Sequence, residues 1–321
     1  MIMRRQTLGL IGTAAAALAM PNVRTAHAAA TILRIGWQKN GVLALAKRTG
    51  AIEKRLAARG VSVTWAEFTS GPPLLEALGL GAVDFGPTGD VPPLFAQAAG
   101  RNLLYVGAYR GPSSGSAILV RRDSPIRLLE DLKGKRVAFK RGSSAHNFIV
   151  KALRKAGLAI TDVEAADLPP PDAAAAFKTG SIDAWAIWDP YYAVAEADPE
   201  ARVLTTAEGI VDSWSFYFGN GAFTTENPEI IADVVDELAK TGARAQSHLD
   251  ETIAALSEIT GVPMEITKTI LTRKGADLGR VYPVSDEAVT YQQALADEFF
   301  GLEIVPKKLT IADVVWRTKA S

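Results

Sequence analysis

The sequence predicts an α/β protein of two similar lobes with a ligand cleft between them. Two stretches about 100 residues apart have the same order of Gly, Asp and Pro residues. They are GAVDFGPTGDVPP at 81–93 and GSIDAWAIWDPYY at 180–192. In each, a Gly ends a helical pattern, an Asp follows, an apolar run has the length of a strand, and a second Asp stands shortly before Pro. The shared spacing indicates two copies of one α/β unit, with a coincidence of common turn chemistry as the open alternative.

The repeated stretches also indicate where a ligand binds. Open α/β sheets bind ligands at the loops that follow the carboxyl ends of their parallel strands. Each copy has such a loop directly after its strand, at Asp90 in the first and at Asp189 in the second. We expect both carboxylates to cap the next helix, because an acceptor side chain shortly before Pro is typical of a helix start.

Residues 1–28 predict an export signal that is removed from the mature protein. Arg4 and Arg5 precede an Ala-rich apolar run at 8–20, and Ala-His-Ala at 26–28 offers a cleavage site. The run is too short to span a bilayer. The arginine pair makes twin-arginine export an alternative to general secretion, and in both cases a periplasmic location is expected.

The composition excludes several classes of function. The chain has 35 basic and 35 acidic residues, and without its leader it keeps 32 basic against 35 acidic, so nothing favours nucleic acid as a partner. It has no cysteine, which excludes disulfides, thiolate metal sites, cysteine nucleophiles and a lipoprotein anchor. Outside the leader only His146 and His248 remain, too few for a convincing histidine metal site. We expect no cofactor and no metal.

Short alternating or apolar runs predict the strands of the first lobe. ILRIGW at 32–37 and VSVTWAEF at 61–68 flank a helical pattern at 42–58. A Pro-started helix at 74–80, the first repeated strand and a further strand at 103–109 follow. These elements make up one α/β lobe.

The second lobe is predicted in the same way. SAILVR at 116–121 and KRVAFK at 135–140 are strands, a helix runs over 145–156, and a short strand at 201–205 follows the second repeated unit. SWSFYF at 213–218 alternates hydroxyl and aromatic residues, and we expect it to return the chain to the first lobe.

These elements predict the lobe boundaries. GPSSG at 111–115 is the first expected crossing between lobes. Residues 29–112 then form the first part of lobe 1 and residues 113–216 form lobe 2. Residues 217–321 return to lobe 1 and add C-terminal helices, whose interspersed charges indicate a solvated face.

The stretch RGSSAHN at 141–147 predicts an anion site. A Gly-Ser-Ser turn at a helix start exposes backbone N–H groups and two hydroxyls, and the helix dipole adds positive potential there. The alternative is a plain Ser N-cap, which many helices have.

The predicted cleft is rich in hydroxyls, amides and helix starts and poor in cations. Backbone N–H groups and neutral hydroxyls suit a small, permanently charged oxyanion, since they satisfy its oxygens without burying a countercharge. Trp185 and Trp188 stand three apart in a strand and should point to opposite faces, so we expect Trp188 to contact the ligand and Trp185 to pack in the core. The predicted ligand-binding residues are Gln38, Thr88, Gly89, Asp90, Ser143, Ser144, His146, Asn147, Trp188 and Asp189.

A hydrolase is the alternative from another class. Ser143, His146 and an Asp contain the residue types of a nucleophilic triad. However, a Ser and a His three apart at a helix start do not reproduce nucleophile-elbow spacing, and the sequence has no GxSxG motif. We therefore expect no enzymatic activity.

Several stretches of the chain resemble a known family. RIGWQKNG, EFTSGPPLLEAL, VDFGPTGDVPPLFAQAAG, LKGKRVAFKRGSSAHN, ALRKAGL, DAWAIWDPYY and VPKKL occur in the order typical of the periplasmic aliphatic-sulfonate-binding proteins of ABC transporters. The combination of GSSAHN, PTGD and AIWDPY is specific, and the resemblance covers nearly all of the mature chain.

The resemblance implies a type II periplasmic binding fold, with two α/β lobes, two crossing strands as a hinge and a ligand closed between the lobes. It also implies that a monomeric protein delivers an alkanesulfonate to a membrane permease driven by an ATPase, for sulfur acquisition. Carried over residue by residue, it implies that Gln38, the loop at 88–90, Ser143, Ser144, His146, Asn147 and Trp188 line the pocket.

Within transport, relatives that bind taurine, nitrate or a pyrimidine precursor are alternatives, and an exported ligand sensor is an alternative outside it. Taurine needs an acid facing its ammonium, so Asp189 discriminates: a ligand-facing carboxylate favours taurine, whereas a helix cap favours simple alkanesulfonates. Trp214 stands where the family often has a smaller residue, and its place, in the pocket or outside it, stays open at this point.

Overall fold

A computed structural model describes residues 30–278 and 281–317, so the predicted export signal at 1–28 lies outside the described residues. Within these residues the strands form two five-stranded sheets. The strands are β1 Ile32–Trp37, β2 Ser62–Glu67, β3 Phe85–Gly89, β4 Leu103–Arg110, β5 Ser116–Arg121, β6 Arg136–Phe139, β7 Glu164–Asp167, β8 Ala184–Trp188, β9 Ala201–Thr206 and β10 Trp214–Asn220.

Both sheets have the same topology. Their strand orders are β2-β1-β3-β10-β4 and β7-β6-β8-β5-β9. In each sheet three strands run parallel, and the fourth, which arrives from the other lobe, pairs antiparallel with both of its neighbours. The predicted α/β fold of two similar lobes is confirmed.

Helices cover both faces of the sheets, and buried apolar clusters lie between the layers. The helices are α1 Gly41–Thr49, α2 Ala51–Ala57, α3 Gly71–Gly79, α4 Pro92–Ala98, α5 Ser144–Lys155, α6 Pro170–Lys178, α7 Tyr191–Glu196, α8 Gly221–Glu226, α9 Pro228–Ser247, α10 Leu249–Thr260, α11 Met264–Leu271 and α12 Asp286–Gly301.

The helix predicted over 42–58 is divided in the structure. Gly50 has a φ of 63°, a left-handed conformation that ends α1 and turns the chain into α2. The buried side chains of both helices still pack in one cluster with those of β1. The apolar pattern was therefore interpreted correctly, but the glycine turn was missed.

The first Asp of each repeated stretch makes equivalent hydrogen bonds in its lobe. The Asp84 carboxylate accepts a hydrogen bond from the backbone N–H of Arg34 on β1, and Asp183 accepts one from that of Arg136 on β6, both at 2.8 Å. The backbone N–H of each Asp in turn donates to the carbonyl of the same arginine. Each aspartate thus anchors the start of the central strand of its sheet, β3 or β8, to the neighbouring strand, β1 or β6.

The chain crosses between the lobes twice, between β4 and β5 and between β9 and β10. The crossing segments, residues 111–115 and 207–213, contact each other: Gly111 N–H donates to the Ser213 carbonyl, and Ser113 Oγ donates to the Val211 carbonyl, both at 2.8 Å. The predicted end of lobe 2 at residue 216 falls inside β10, which pairs wholly in the first sheet. We propose that lobe 2 ends within 207–213 instead.

None of the helices in the described ranges is both long enough and apolar enough to cross a lipid bilayer.

Candidate functional site

A cavity of about 230 Å³ lies between the two sheets. Its walls come from both lobes and from both crossing segments, and eight of the ten predicted ligand-binding residues line it. These eight are Gln38, Thr88, Gly89, Asp90, Ser143, Ser144, Trp188 and Asp189.

Four helices begin at this cavity, and three of them start with a residue that has a backbone N–H, whereas α4 starts with Pro92. The first residues of α1, α3 and α5 are Gly41, Gly71 and Ser144, and all three line it. The residue before each of these helices makes no side-chain cap hydrogen bond. The first-turn N–H groups of a helix lack partners within the helix, and the dipole adds positive potential at that end. The arrangement can therefore bind an anion without a positively charged side chain.

The two serines at the start of α5 differ in what they contact. Ser143 Oγ donates to the Lys140 carbonyl at 2.7 Å, so this hydroxyl stabilises the preceding loop and does not cap the helix. Ser144 begins the helix and points toward the first lobe, where Gly89 ends β3. A Cβ at Gly89 would overlap Ser144 Oγ. Glycine at position 89 thus allows the second lobe to approach the first.

The side chain of Gln38 also contacts β3 near its end. It follows β1, is buried, and its Nε2 donates to the Pro87 carbonyl at 3.1 Å. This bond fixes the amide beside the end of β3, within the cavity wall.

Asp90 connects three parts of the molecule. Its Oδ1 accepts from the Val91 N–H at 3.0 Å, and its Oδ2 accepts from Asn147 Nδ2 at 2.7 Å and from the Tyr291 hydroxyl at 2.8 Å. Burial raises the pKa of this carboxyl, and hydrogen bonds from Ser144, Tyr291 and Asn147 oppose the rise. The expected cap of α4 by Asp90 is not formed, because its one backbone bond goes to Val91, which precedes the helix, and its main partners lie on α5 and α12.

His146 does not line the cavity. Its ring packs against Phe139 and Phe299, with centroids 5.2 and 5.5 Å away, and its Nδ1 accepts from the Gly142 N–H at 3.3 Å. Burial, and secondarily the charge of Arg141, lowers the pKa of His146 to about 4. The ring lies off the cavity wall because an α-helix turns about 200° over the two residues from Ser144, and a contact of His146 with the ligand stays a prediction.

Asn147 is likewise outside the cavity wall. Its amide is fully buried and lies behind Asp90, to which its Nδ2 donates. It positions that carboxylate from the opposite lobe, and its predicted contact with the ligand stays a prediction.

The tryptophans divide as their spacing predicts. Trp185 is 2% exposed and packs against Phe177 in the core of the second lobe, whereas Trp188 lines the cavity. Trp214 lines the cavity too, stacked on Phe216 with the Arg110 guanidinium 4.4 Å above its ring. The aromatic wall therefore contains both Trp188 and Trp214.

Asp189 has a partner that the sequence did not reveal. Arg273 donates to its carboxylate through Nε at 2.7 Å and through a terminal nitrogen at 3.3 Å, and Ala193 N–H donates to Oδ1 at 3.0 Å. Burial opposes the charge on Arg273, but hydrogen bonds to Asp189 outweigh burial and raise the pKa of the guanidinium. Asp189 thus contacts the first turn of α7, as expected, and also forms an ion pair with the C-terminal region.

The C-terminal region also forms part of the cavity wall. The interspersed charges predict a solvated face for the C-terminal helices, and the structure adds that apolar residues of this region, Ile270, Leu271, Leu278 and Val281, line the cavity. No local signal marks them, because the apolar spacing in α11 has the same form as that of any packed helix.

The charges around the cavity leave an anion little to repel it. Of the four aspartates in its wall, Asp212 and Asp277 are exposed, and Asp90 and Asp189 are occupied by the hydrogen bonds and the ion pair given above. In residues 30–278 and 281–317 no group of three His, Cys, Asp or Glu side chains is arranged to hold a metal ion. Neutral donors and helix dipoles therefore dominate the interior.

Comparison with known proteins gives one family match and several similar relatives. The model of the NMT1/THI5-like family matches residues 56–251. The chain is 41% identical to an aliphatic sulfonates-binding protein of Escherichia coli (strain K12), over 89% of this chain and 88% of the relative. It is 33% identical to a protein of the same name in Bacillus subtilis (strain 168), over 89% and 86%. A taurine-binding periplasmic protein of Escherichia coli (strain K12) is 30% identical over 64% and 66%.

Solved structures give the same result. The alkanesulfonate-binding protein SsuA from Xanthomonas axonopodis pv. citri, bound to MOPS, superposes with a TM-score of 0.86 at 39% identity, covering 91% of this chain and all of that chain. The desulfurization enzyme DszB shares the fold alone, with a TM-score of 0.66 at 16% identity over 88% of this chain and 96% of the enzyme.

Proposed function

Because the chain belongs to the NMT1/THI5-like family, and within it to the aliphatic-sulfonate-binding proteins, we propose that it captures alkanesulfonates between its lobes and delivers them to an ABC permease. The permease and its ATPase are the expected partners, and sulfur acquisition is the expected purpose. We place the protein in the periplasm as a monomer, with residues 1–28 removed on export.

The convergence of three uncapped helix N-termini on one cavity carries this proposal. A sulfonate presents three equivalent oxygens and keeps its charge at any physiological pH. The N–H groups at Gly41, Gly71 and Ser144 supply donors from both lobes, and the hydroxyl of Thr88 is near them in the wall. Since no buried countercharge is needed, the site avoids the desolvation cost of a fully buried ion pair.

The organic part of the ligand then lies against the aromatic wall. Trp188 belongs to the second lobe and Trp214 to the first sheet, so a chain between them contacts both lobes at once. Large rings provide much apolar area with few rotatable bonds. Carbon chains longer than methyl are therefore expected to bind more tightly.

The state of Asp189 favours simple alkanesulfonates over taurine. The taurine ammonium needs an available carboxylate, but the side chains of Asp189 and Arg273 are only 11% and 10% exposed and satisfy each other. An ammonium ligand would compete with a guanidinium that is already bonded at two positions. We therefore assign taurine to a relative of this protein and not to this chain.

Ligand capture is expected to proceed by closure about the two crossing segments. The contacts between Asp90 and Asn147 and between Asp189 and Arg273 join lobe 2 to lobe 1 on either side of the cavity. A ligand that bridges the lobes favours this closed form, a hinge-type shift of population that a permease can recognise.

We expect no catalysis. Ser143 Oγ is bonded to a carbonyl, and His146 lies in an aromatic cluster away from the cavity, so the residue types of a hydrolytic triad are not assembled. DszB shares this fold, so the fold alone does not separate binding from chemistry. Incubation with sulfonate esters should give no product.

Titration calorimetry of the ligand-free mature protein tests the proposal. Alkanesulfonates from methane to octane should bind one to one and more tightly than taurine, sulfate or nitrate. Heat from taurine or nitrate alone would contradict it and assign the protein to another branch of the same transporter family. Deletion of the gene should abolish growth on alkanesulfonates as the sulfur source, and unimpaired uptake in the deletion strain would favour an exported sensor.

A further inference from the structure

A second cavity of about 70 Å³ lies beside the ligand cavity, between α10, α11 and the loop after β1. Its apolar wall comes from the ends of α10 and α11 and from the segments that follow them. The apolar lining residues are Leu256, Val262, Ile270, Leu271 and Leu278. We call this second cavity the annex.

The annex adjoins the ligand cavity. The two share six lining residues, Asn40, Gly41, Asp189, Ile270, Leu271 and Leu278. Gly41 is the first residue of α1, one of the three helix starts assigned to the anion. Its φ is 69°, and a Cβ built there meets no atom within 4 Å, so the backbone leaves open space at this point. A chain leaving an anion at α1 thus starts beside a residue that the two cavities share.

Two threonine side chains in the annex wall already have hydrogen-bond partners. The Thr260 hydroxyl donates to the Leu256 carbonyl at 2.6 Å, and the Thr267 hydroxyl donates to the Val262 carbonyl at 3.3 Å. Each threonine hydroxyl therefore donates its one hydrogen to a backbone carbonyl.

The charged neighbours are occupied as well. Lys39 forms an ion pair with Glu67 at 3.3 Å, and Asp189 is held by Arg273. With these threonines and charged groups bonded elsewhere, the annex offers mainly methyl and methylene surface to whatever enters it.

We propose that the annex receives the distal carbons of the ligand's alkyl chain and sets the preference of this protein for longer alkanesulfonates. This inference rests on the proposed function. The annex has about half of the ~150 Å³ of an engineered apolar cavity that holds benzene, so it has room for a few methylene groups. Each methylene that leaves water for such a space should strengthen binding about fourfold.

The test compares a variant that fills the annex with one that does not. Val262→Phe adds a ring to the annex wall, and Val262 lines only the annex and not the ligand cavity. Its backbone carbonyl, which accepts from Ser257 and Thr267, is retained. Ile266→Phe is the matched control, because Ile266 is a partly exposed residue of α11 that lines neither cavity.

Calorimetry with methane-, butane- and octanesulfonate gives the measurement. In Val262→Phe, methanesulfonate should bind within about twofold of wild type, while octanesulfonate should bind at least tenfold more weakly. The Ile266→Phe control should retain the wild-type length dependence. Thermal unfolding checks that each variant is folded, and Val262→Met, a smaller change, replaces Val262→Phe if the latter is not.

The outcomes separate the two proposals. Octanesulfonate affinity that is unchanged in a folded Val262→Phe variant, with methanesulfonate still bound, would overturn the annex and leave the proposed function intact. Wild-type protein that binds no sulfonate of any length would overturn the proposed function and the annex with it.

Discussion

Arg273 and Asp189, 84 residues apart in the chain, form a two-point ion pair that joins the wall of the ligand cavity to the C-terminal region. Arg273 also lies over the ring of Tyr192 at 4.0 Å and donates to Glu196 at 2.8 Å. The C-terminal region therefore holds the start of α7 through one guanidinium. The pair also neutralises a carboxylate that lines an anion site.

Replacing this arginine should change which sulfonates bind. Arg273→Met leaves the Asp189 carboxylate in the cavity wall without its guanidinium, so ethanesulfonate should bind roughly tenfold more weakly or worse. Taurine should lose less affinity, because its ammonium can pair with the released carboxylate. Calorimetry gives the ratio of the two affinities. Loss of the contact between the lobes should weaken the binding of both ligands equally, so it leaves this ratio unchanged. The double variant Asp189→Asn/Arg273→Met should restore the wild-type ratio, and a ratio that never moves would show that Asp189 does not reach the ligand.

Removing the hydroxyl at the start of α5 should weaken ligand binding. Ser144→Ala deletes a cavity-lining hydroxyl whose single hydrogen turns from Asp90 to the sulfonate when the ligand binds, so the sulfonate affinity should fall by about 1 to 3 kcal/mol. Ser143→Ala is the matched control, because the Ser143 hydroxyl is bonded to the Lys140 carbonyl. The control should lose thermal stability rather than affinity, and equal affinity losses in the two variants would contradict this division of roles.

Removing a ring from the aromatic wall should weaken the binding of sulfonates with long alkyl chains most. Trp188→Ala should cost hexanesulfonate roughly 1 to 2 kcal/mol more than methanesulfonate, since only the longer chain lies against the ring. Trp185→Phe, three residues earlier and buried in the core, should lower the unfolding temperature and leave this difference unchanged. Equal losses for both ligands in Trp188→Ala would mean that the ring does not contact the alkyl chain.

Acid should destabilise the folded protein through His146. The folded pKa is lowered from 6.5 to about 4, so as the pH falls from 6.5 to 4 the unfolded chain takes up a proton that the folded chain does not. This contribution to stability is full above pH 6.5 and declines by about 3 kcal/mol by pH 4. Urea unfolding gives the free energy of unfolding of wild type and of His146→Gln at each pH. The difference between the two free energies should become smaller as the pH falls. A difference independent of pH would contradict the buried, neutral imidazole.

Ligand affinity itself should hardly depend on pH between 6 and 8. The sulfonate stays ionised, the imidazole of His146 stays neutral above its lowered pKa, and the cavity donors are N–H and O–H groups that do not titrate there. Calorimetry of butanesulfonate at three pH values checks this. A steep change would point to a titrating group at the ligand.

The sequence by itself determined the two lobes and the loops that face the cleft, because both are local properties. The Gly, Asp and Pro spacing of each repeated stretch depends on turn and cap chemistry within a few residues, and the strands of both lobes follow from short apolar periods. The split between Trp185 and Trp188 follows in the same way from the alternation of a strand.

Only the tertiary structure decided which groups meet across the cleft. Asp90 meets Asn147 and Tyr291, 57 and 201 residues further along the chain, and Asp189 meets Arg273. Which of these side chains face one another depends on how the lobes pack, and no residue pattern within one segment records that. His146 and the annex show the same limit, since the turn of α5 and the approach of α11 to the loop after β1 become visible only when the helices are in place.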